Sequence, residues 1–260
     1  MSKLAESDEF HSKFAIDKEK NFYEGRDLEV LAGTPRYLNW IIEDLKPYLK
    51  GDVLEIGAGL GTVSERLVIH SSSLDLVEPS PQLIGRLQSK FADNPLVKVY
   101  HEMLETFLDD VESNKYDVVV MVNVLEHIED DVDALNRLRN SLKPGGHLFL
   151  FVPAIPFLFS RLDEIHGHYR RYLKNDLKRK ISDAGYQLKT AKYFDILGIL
   201  PWYIINTLIG ATTFNPTMIK LYDRVDIPVT RAFERYIDPP LGKNLLLVAE
   251  KTGCKLNKYF

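Results

Sequence analysis

The ten residues DEIHGHYRRY, at positions 163–172, bring together side chains that could bind a metal ion, take up a proton or hold an anion. His166 and His168 are separated by a single glycine, and a carboxylate from Asp163 or Glu164 would complete a set of metal ligands. The same histidines are candidate general bases, and the two arginines are candidate partners for a carboxylate or a phosphate. The segment alone does not choose among these chemistries, so its position in the fold must decide.

Short β-rich runs alternate along the chain with amphipathic stretches of helix length, which is typical of an α/β protein. The predicted strands are DVLEIG (52–57), LDLVEP (74–79), VKVYH (97–101), YDVVVMVN (116–123), HLFLFVP (147–153), YQLKTAKYF (186–194) and NLLLVAE (244–250). They predict a doubly wound, mostly parallel seven-stranded sheet with helical additions. Ligands of such sheets bind beyond the carboxyl ends of the strands, and DEIHGHYRRY follows the fifth strand.

Capping residues mark where the helices begin and end. Thr34 followed by Pro35 predicts the start of a helix that runs to about Leu49, and Ser80–Pro81 predicts another helix start. KPGG, at 143–146, predicts the end of the helix after the fourth strand and a turn into the fifth.

Composition excludes several classes of protein. The chain has 260 residues with a formal net charge of -4, which argues against a general nucleic-acid binder. Its only cysteine, Cys254, excludes a disulfide framework and a multi-cysteine zinc site. The opening residues MSKLAESDEFHSKF lack the apolar core of a secretory signal, so we expect a cytoplasmic location.

The turn after the first strand is rich in glycine. In VLEIGAGLGT (53–62), Gly57, Gly59 and Gly61 permit a tight turn and a close approach of the backbone to a ligand. A dinucleotide-binding fingerprint would have its third glycine where this chain has Thr62. Glu78 ends the second strand, where a carboxylate can accept hydrogen bonds from the two hydroxyls of a ribose.

Four blocks in this order resemble the class I methyltransferases that use S-adenosylmethionine: VLEIGAGLGT (53–62), LDLVEPS (74–80), YDVVVMVNVLEHIED (116–130) and LKPGGHLFLFVP (142–153). PPLGKNLLLVAEK (239–251) is similar to the final strand hairpin of that family. The resemblance implies a Rossmann-like methyltransferase fold, with S-adenosylmethionine as cofactor and S-adenosylhomocysteine as product.

The resemblance also implies a set of cofactor-binding residues. Glu55 would lie near the amino-acid end of the cofactor, and Glu78 would hold its ribose. The glycine turn and the ends of strands two and four would add Gly57, Ala58, Gly59, Gly61, Thr62, Pro79, Asn123 and Val124. Glu102 stands near the position where the family often has an aspartate at the adenine amino group, and Met103 would pack on the ring. Either Arg36 or Tyr37 could meet the cofactor carboxylate, or their helix could simply pack on the sheet.

On the acceptor side, the candidate bases are His127, His166, His168 and Tyr169, and the candidate substrate-binding residues are Arg170, Arg171 and Tyr172. An alternative is that the two arginines pair with Asp163 and Glu164 and only hold the segment in place. Methyl transfer from a sulfonium needs no metal, so no metal is expected. The basic residues that follow are interpreted as a solvated helix face and not as a nucleic-acid site.

The expected function is methyl transfer to an oxygen, nitrogen or carbon of a small molecule by direct displacement. Whether the acceptor is anionic, and which oligomer forms, stays open. DILGILPWYIINTLIGA (195–211) is interpreted as a core strand running into a buried or lid helix, with attachment to a membrane surface or an apolar channel as alternatives. The rival functions are methylation of a lipid-linked, isoprenoid or glycan acceptor at a membrane, NAD(P)-dependent oxidoreduction, and non-catalytic cofactor binding.

The predicted organisation is a single domain in three parts. Residues 1–50 form an N-terminal helical cap, residues 51–153 a cofactor-binding core, and residues 154–260 an acceptor-side lid with the C-terminal strands.

Overall fold

The computed structural model describes residues 32–213 and 215–252. Within these ranges the strands are β1 (Asp52–Ile56), β2 (Ser73–Val77), β3 (Val97–Tyr100), β4 (Tyr116–Val122), β5 (Leu142–Pro153), β6 (Tyr186–Phe194) and β7 (Asn244–Lys251). They form one sheet in the order β3-β2-β1-β4-β5-β7-β6. β7 is antiparallel to both of its neighbours, and the other pairs are parallel. The predicted doubly wound, mostly parallel sheet is confirmed.

The described helices are α1 (Pro35–Leu45), α2 (Ser64–Leu67), α3 (Ile84–Phe91), α4 (Leu104–Asp110), α5 (Asp131–Ser141), α6 (Arg161–Ile165), α7 (Lys174–Asp183), α8 (Ile199–Trp202), α9 (Pro216–Leu221) and α10 (Ile227–Glu234). Short 3-10 turns occur at Lys46–Tyr48, Val68–His70, Leu125–His127 and Pro156–Leu158. A π-helical turn, Tyr203–Leu208, continues α8, and another, Tyr222–Asp226, joins α9 to α10.

Helices cover both faces of the sheet because its central strands are apolar on both faces. In β4, Val119 and Met121 belong to one buried cluster, which also contains side chains of α4, α5 and α7. Val118 and Val120 belong to the other cluster, which contains side chains of α1, α3 and α10. Strands anchored on both faces give a firm base to the loops at their carboxyl ends, where the predicted site residues lie.

The helix α1 begins at Pro35 as predicted, but it ends at Leu45, before a 3-10 turn. Thr34 makes no capping hydrogen bond with its side chain. Instead, Asp223 Oδ1 accepts the backbone N–H groups of Arg36 at 2.9 Å and Tyr37 at 3.0 Å. A carboxylate far along the chain therefore caps this helix, and it connects the segment around Asp223 to the start of α1.

Two other predictions from capping patterns differ from the structure. The helix expected directly after Ser80–Pro81 begins only at Ile84, and the hydroxyl of Ser80 donates to Gln82 Oε1 at 2.9 Å. KPGG lies inside β5 and not between a helix and a strand. The register of β5 against β4 shifts there, and Gly145, with φ of +80°, allows this irregularity without ending the strand.

The apolar segment 195–211 is helical and contains no strand, because β6 ends at Phe194. It forms α8 and the π-helical turn after it, so the predicted lid helix is present without the predicted strand. Within the described ranges, no helix has the length and hydropathy needed to cross a membrane.

Candidate functional site

The glycine turn between β1 and α2 has a backbone that favours glycine. Gly57, Gly59 and Gly61 all have positive φ, at +70°, +56° and +72°. A Cβ added to Gly57 would lie 2.5 Å from Cγ2 of Val124, at the end of β4. The turn is therefore pressed against the neighbouring strand end, and it leaves room only for backbone.

Glu78 follows β2 and holds this turn with its carboxylate. The N–H of Gly59 donates to Glu78 Oε2 at 2.7 Å, and the N–H of Ser80 donates to Oε1 at 2.8 Å. Burial raises the pKa of Glu78, and the two backbone hydrogen bonds oppose that rise. Each oxygen accepts one bond and retains a further lone pair, so the pair of oxygens fits the two hydroxyls of a ribose.

Glu55 lies within β1, is 3% exposed, and accepts a hydrogen bond from the hydroxyl of Ser64 at 2.5 Å. Burial is the largest effect on this carboxyl and raises its pKa to about 8. The Ser64 hydrogen bond opposes the rise, and the nearby charge of Glu78 adds to it. At neutral pH, Glu55 is therefore mostly a neutral acid below the glycine turn.

The residues predicted at the adenine end lie at the same edge of the sheet. Met103 is exposed and precedes α4, and Glu102 beside it is half-buried. Pro79 contributes its carbonyl oxygen, which lies 3.2 Å from Nε2 of His101. Ala58 is buried within the turn. The described contacts of Glu102 and Met103 do not test whether these residues bind adenine, so that role stays a prediction.

Asn123 stands at the end of β4 with φ of +53°, a backbone conformation that L-residues other than asparagine and aspartate rarely adopt. Its N–H donates to the carbonyl of Phe151 at 2.7 Å, which holds the strand end in place. Its side chain lines a cavity of about 420 Å³ on the side facing α8 and α9. Asn123 thus lines this cavity, and the next residue, Val124, faces the glycine turn.

Polar side chains converge on the cavity from distant parts of the chain. They include Tyr37, Asn123, Glu126, His168, Arg171 and Lys243. Apolar side chains of α8, α9 and the turn after α8 complete the wall, among them Pro201, Trp202, Ile205, Met218 and Ile219. A mostly apolar cavity with a few convergent polar groups is the usual form of a small-molecule site.

Asp163 organises the DEIHGHYRRY segment from within. It forms a capping box with Ser160 at the start of α6 and binds His168 Nδ1 at 2.9 Å and Arg171 Nε at 2.8 Å. A second bond, from Arg171 to Oδ2 at 3.0 Å, makes that pair bidentate. Burial raises the pKa of Asp163, but the His168 hydrogen bond and the Arg171 charge outweigh burial and lower the pKa to about 2.

The four predicted bases occupy different places. His166 and His168 line the cavity, with ring centroids 5.9 Å apart. His127 stands edge-on to His168 at 4.6 Å but is not part of the cavity wall. Tyr169 is largely exposed, and its hydroxyl lies 3.5 Å from Glu129. Of the four side chains, only His166 and His168 are brought to the cavity.

The three predicted substrate-binding residues also differ. Arg171 reaches the cavity wall, but its guanidinium is engaged by Asp163. Arg170 and Tyr172 both contact Asp131, at 2.9 Å in each case, away from the cavity. A bridge between Ala154 and Tyr172 gives this stretch an extended backbone, so Tyr172 and its neighbour Arg171 point to opposite sides.

Arg170 and Tyr172 therefore do not line this cavity, and their expected role in holding a substrate stays a prediction. The alternative, that arginines hold the segment in place, describes Arg171 with Asp163. For Arg170 the partner is Asp131 instead of Glu164.

Arg36 and Tyr37, at the start of α1, also have different partners. The side chain of Arg36 points to Asp223, with 3.4 Å between the charged groups. Tyr37 lines the cavity, and its hydroxyl donates to Asn244 Oδ1 at 2.9 Å. Burial, followed by the charge of Asp195, raises the pKa of Tyr37 well above its ordinary value.

An ion pair at the cavity wall, between Lys243 and the buried Asp195, was not predicted from the sequence. Lys243 lies 2.8 Å from Asp195 Oδ2, and its Nζ also donates to the hydroxyl of Tyr222 at 2.8 Å. Its ammonium is 4.6 Å from the ring centroid of Tyr222 and 5.2 Å from that of Tyr37. Asp195 is fully buried with φ of +66°, and the hydroxyl of Tyr222 donates to the same oxygen, Oδ2, that faces Lys243. The cavity wall therefore holds a cation neutralised by a buried carboxylate.

One cluster has the composition of a metal site. One ligand atom from each of Glu126, His127 and His168 lies within 4.8 Å of the other two. The set considered from the sequence differs, because Asp163 is committed to Arg171. The expectation that the protein uses no metal stays a prediction.

The strand order, the antiparallel seventh strand, and the glycine turn backed by Glu78 define a class I methyltransferase fold of the S-adenosylmethionine-dependent type. Residues 54–148 match the methyltransferase domain family. This region is a methyltransferase domain, and the resemblance found in the sequence is confirmed.

Several known proteins are similar to this chain. It is 30% identical over 118 residues to the ubiquinone biosynthesis O-methyltransferase of Acinetobacter baumannii (strain ACICU), covering 44% of this chain and 49% of that protein. The protein of the same name from Xanthomonas axonopodis pv. citri is 25% identical over 186 residues, covering 66% of this chain and 75% of the relative. The chain thus spans about half the length of the first of these curated relatives.

Among solved structures, an S-adenosylmethionine dependent methyltransferase from Mesorhizobium loti matches 82% of this chain and 97% of its own, with a TM-score of 0.57 and 14% identity. Phosphoethanolamine N-methyltransferase 2 of Haemonchus contortus, solved with phosphomonomethylethanolamine and S-adenosylhomocysteine, matches 83% of this chain and 53% of its own. Its TM-score is 0.58 at 14% identity. At these identities the likeness shows the fold.

Proposed function

We propose that this protein transfers a methyl group from S-adenosylmethionine to a hydroxylated small molecule bound in the cavity beside Asn123. The observation that carries the proposal is the glycine turn held on Glu78, which packs against Val124, the residue after Asn123 of the cavity wall. The relatives named as ubiquinone biosynthesis O-methyltransferases support oxygen as the atom that receives the methyl group.

The cofactor supplies an electrophilic methyl group on sulfur, so the chain has to align the acceptor, exclude water and take up one proton. We assign Glu78 to the ribose, Gly57, Gly59 and Gly61 to the close backbone approach, and Glu55 to the region below that turn. Asn123 separates the cofactor side from the acceptor side. Residues 51–153 then act as the cofactor part and residues 154–252 as the acceptor part of one domain, and residues 1–31 of the predicted cap lie outside the described ranges.

His168 is the proposed base. Its Nδ1 hydrogen-bonds to Asp163, which is ionised at neutral pH because its pKa is lowered to about 2. This bond places the ring proton of neutral His168 on Nδ1, and it leaves Nε2 to accept the hydroxyl proton of the acceptor. The acceptor oxygen, relieved of its proton by His168, would then be able to receive the methyl group that the bound cofactor supplies.

His168→Asn tests this role, with release of S-adenosylhomocysteine from a panel of hydroxylated aromatic compounds as the readout. We expect turnover to fall about 10²–10⁴-fold, as for loss of a general base. The affinity for S-adenosylhomocysteine, measured by calorimetry, should stay close to that of the wild type. The matched control is His127→Asn, which removes the neighbouring ring outside the cavity wall and should retain turnover.

Asp163→Asn separates positioning from catalysis. It should lower turnover and leave the affinity for S-adenosylhomocysteine unchanged, because an amide no longer holds the ring proton of neutral His168 on Nδ1. Calorimetry with NAD and with S-adenosylhomocysteine distinguishes the rival oxidoreductase. Binding of NAD without binding of S-adenosylhomocysteine would refute the proposed function.

A further inference from the structure

Two helical segments that wall the cavity carry exposed apolar side chains on their outer sides. On α8 and the turn after it these are Leu200, Ile204 and Leu208. On the segment 216–234 they are Leu221, Val225, Val229 and Phe233, which recur every four residues. We call these seven side chains the rim surface. Spacing of this kind places the second group along one stripe of a helix.

The inner side of the segment 216–234 is already packed. Ile227 and Thr230 are buried, and Asp223 caps α1 from the same side. The rim surface is therefore a second apolar side, on a helix whose core-facing side has its partners. Exposed apolar side chains grouped beside a cavity, as these are, are typical of a surface that binds a partner.

Exposed cations outnumber exposed carboxylates on and directly after the segment 216–237, where Asp238 is exposed and Arg231 pairs with Glu43. Lys220, Arg224 and Arg235 are exposed on the segment 216–237. Of the carboxylates between 216 and 237, Asp223 is buried, and Asp226 and Glu234 are half-buried. The other segment, 196–213, contains no charged residue.

The cavity opens between the two apolar groups of the rim surface. Pro201, Thr213, Asn215 and Met218 line the cavity and are also exposed, so they form its mouth. Pro201 adjoins Leu200, and Met218 lies one turn before Leu221. A partner that covers the rim surface would therefore also face the mouth of the cavity.

We infer that the rim surface docks on an anionic lipid bilayer and places the mouth of the cavity against it. Apolar side chains beside exposed lysine and arginine match the boundary between the acyl chains and the anionic headgroups of a bilayer. A second copy of this chain fits less well, because a twofold axis through this stripe would bring Lys220 and Arg224 close to the same cations of the other copy. The inference extends the proposed function, since such a position admits an acceptor whose apolar part stays in the membrane.

Flotation of the full chain with phosphatidylcholine vesicles, with and without phosphatidylglycerol, tests the docking. We expect binding to the anionic vesicles only. Val225→Ser combined with Val229→Ser, at side chains that are 52% and 56% exposed, should lower the partition constant for binding to the anionic vesicles at least about tenfold. Lys220→Gln with Arg224→Gln should lower it about 25-fold, from about fivefold per cation.

The matched control is Ile69→Ser, a side chain that is 74% exposed in the 3-10 turn before β2, at the opposite edge of the sheet. It should bind vesicles as the wild type does. Absence of wild-type binding, or equal loss in the control, would overturn the inference. A change of molar mass in the Val225/Val229 variant would assign the surface to a second copy, and vesicle binding gained only on deletion of residues 1–31 would assign it to that segment. Either result would also overturn the inference.

Calorimetry with S-adenosylhomocysteine on the same samples keeps the two proposals apart. Normal cofactor binding without vesicle binding removes the docking surface and leaves the proposed function standing. Vesicle binding without cofactor binding removes the proposed function and leaves the docking surface standing.

Discussion

Glu55→Gln should make the stability of the protein less dependent on pH. Burial raises the pKa of Glu55 from its ordinary value of 4.5 to about 8. A raised pKa means that the folded state holds this proton more tightly than the unfolded state does. The stabilising contribution is therefore complete below about pH 4.5 and is lost as the pH rises through about 8. Between pH 5 and 9 the loss is about 4 kcal/mol of unfolding free energy, most of it by pH 8.

Urea denaturation at pH 5, 7, 8 and 9 measures this contribution. Glutamine keeps an acceptor for the hydroxyl of Ser64 and cannot ionise, so the variant should lose about 4 kcal/mol less than the wild type over that range. Glu65→Gln is the matched control, because Glu65 lies on the next helix with an exposed side chain that pairs with Lys90 at 3.0 Å. Equal pH dependence in the wild type and in Glu55→Gln would refute the assignment of a buried neutral acid.

Three further outcomes are expected. Gly57→Ala should lower the affinity for S-adenosylhomocysteine and cost about 1–3 kcal/mol of stability, because Gly57 has a positive φ and an added Cβ would meet Val124. Adding Val124→Ala should restore part of the affinity and part of the stability. A double variant no better than the single one would contradict this reasoning. Lys243→Met leaves Asp195 buried without its cation and should cost about 3–5 kcal/mol in urea denaturation. Adding Asp195→Asn should recover most of that loss, and no recovery would show that the cost arises elsewhere. Turnover should persist after dialysis against a chelator; a loss that a divalent metal restores would instead assign Glu126, His127 and His168 to a metal.

The cofactor side of the site was predictable because its residues act through their own local backbone. Gly57 and Gly59 belong to one turn, and Glu78 follows the next strand along the chain. Parallel neighbouring strands bring such residues to one edge of the sheet, whatever the remaining contacts are. The mostly parallel, doubly wound sheet followed from the same alternation of strands and helices.

The acceptor side was less predictable, because it depends on contacts between distant segments. Asp195, Tyr222 and Lys243 meet only when the ends of β6 and β7 and the turn before α10 come together. Neither their spacing nor their types mark them in the sequence. The adjacent residues Arg170 and Arg171 also have different partners, because the bridge between Ala154 and Tyr172 decides which side chain points inward.

β7 lies between β5 and β6, although it is synthesised after both of them. β6 bonds to the sheet only through β7, so on the ribosome the edge of β5 stays unpaired and β6 has no place in the sheet until Asn244–Lys251 emerges. The cofactor part can form earlier, since β1 to β5 pair among themselves. Folding during translation should therefore occur in two stages. Between these stages, chaperones that protect exposed strand edges should bind the chain.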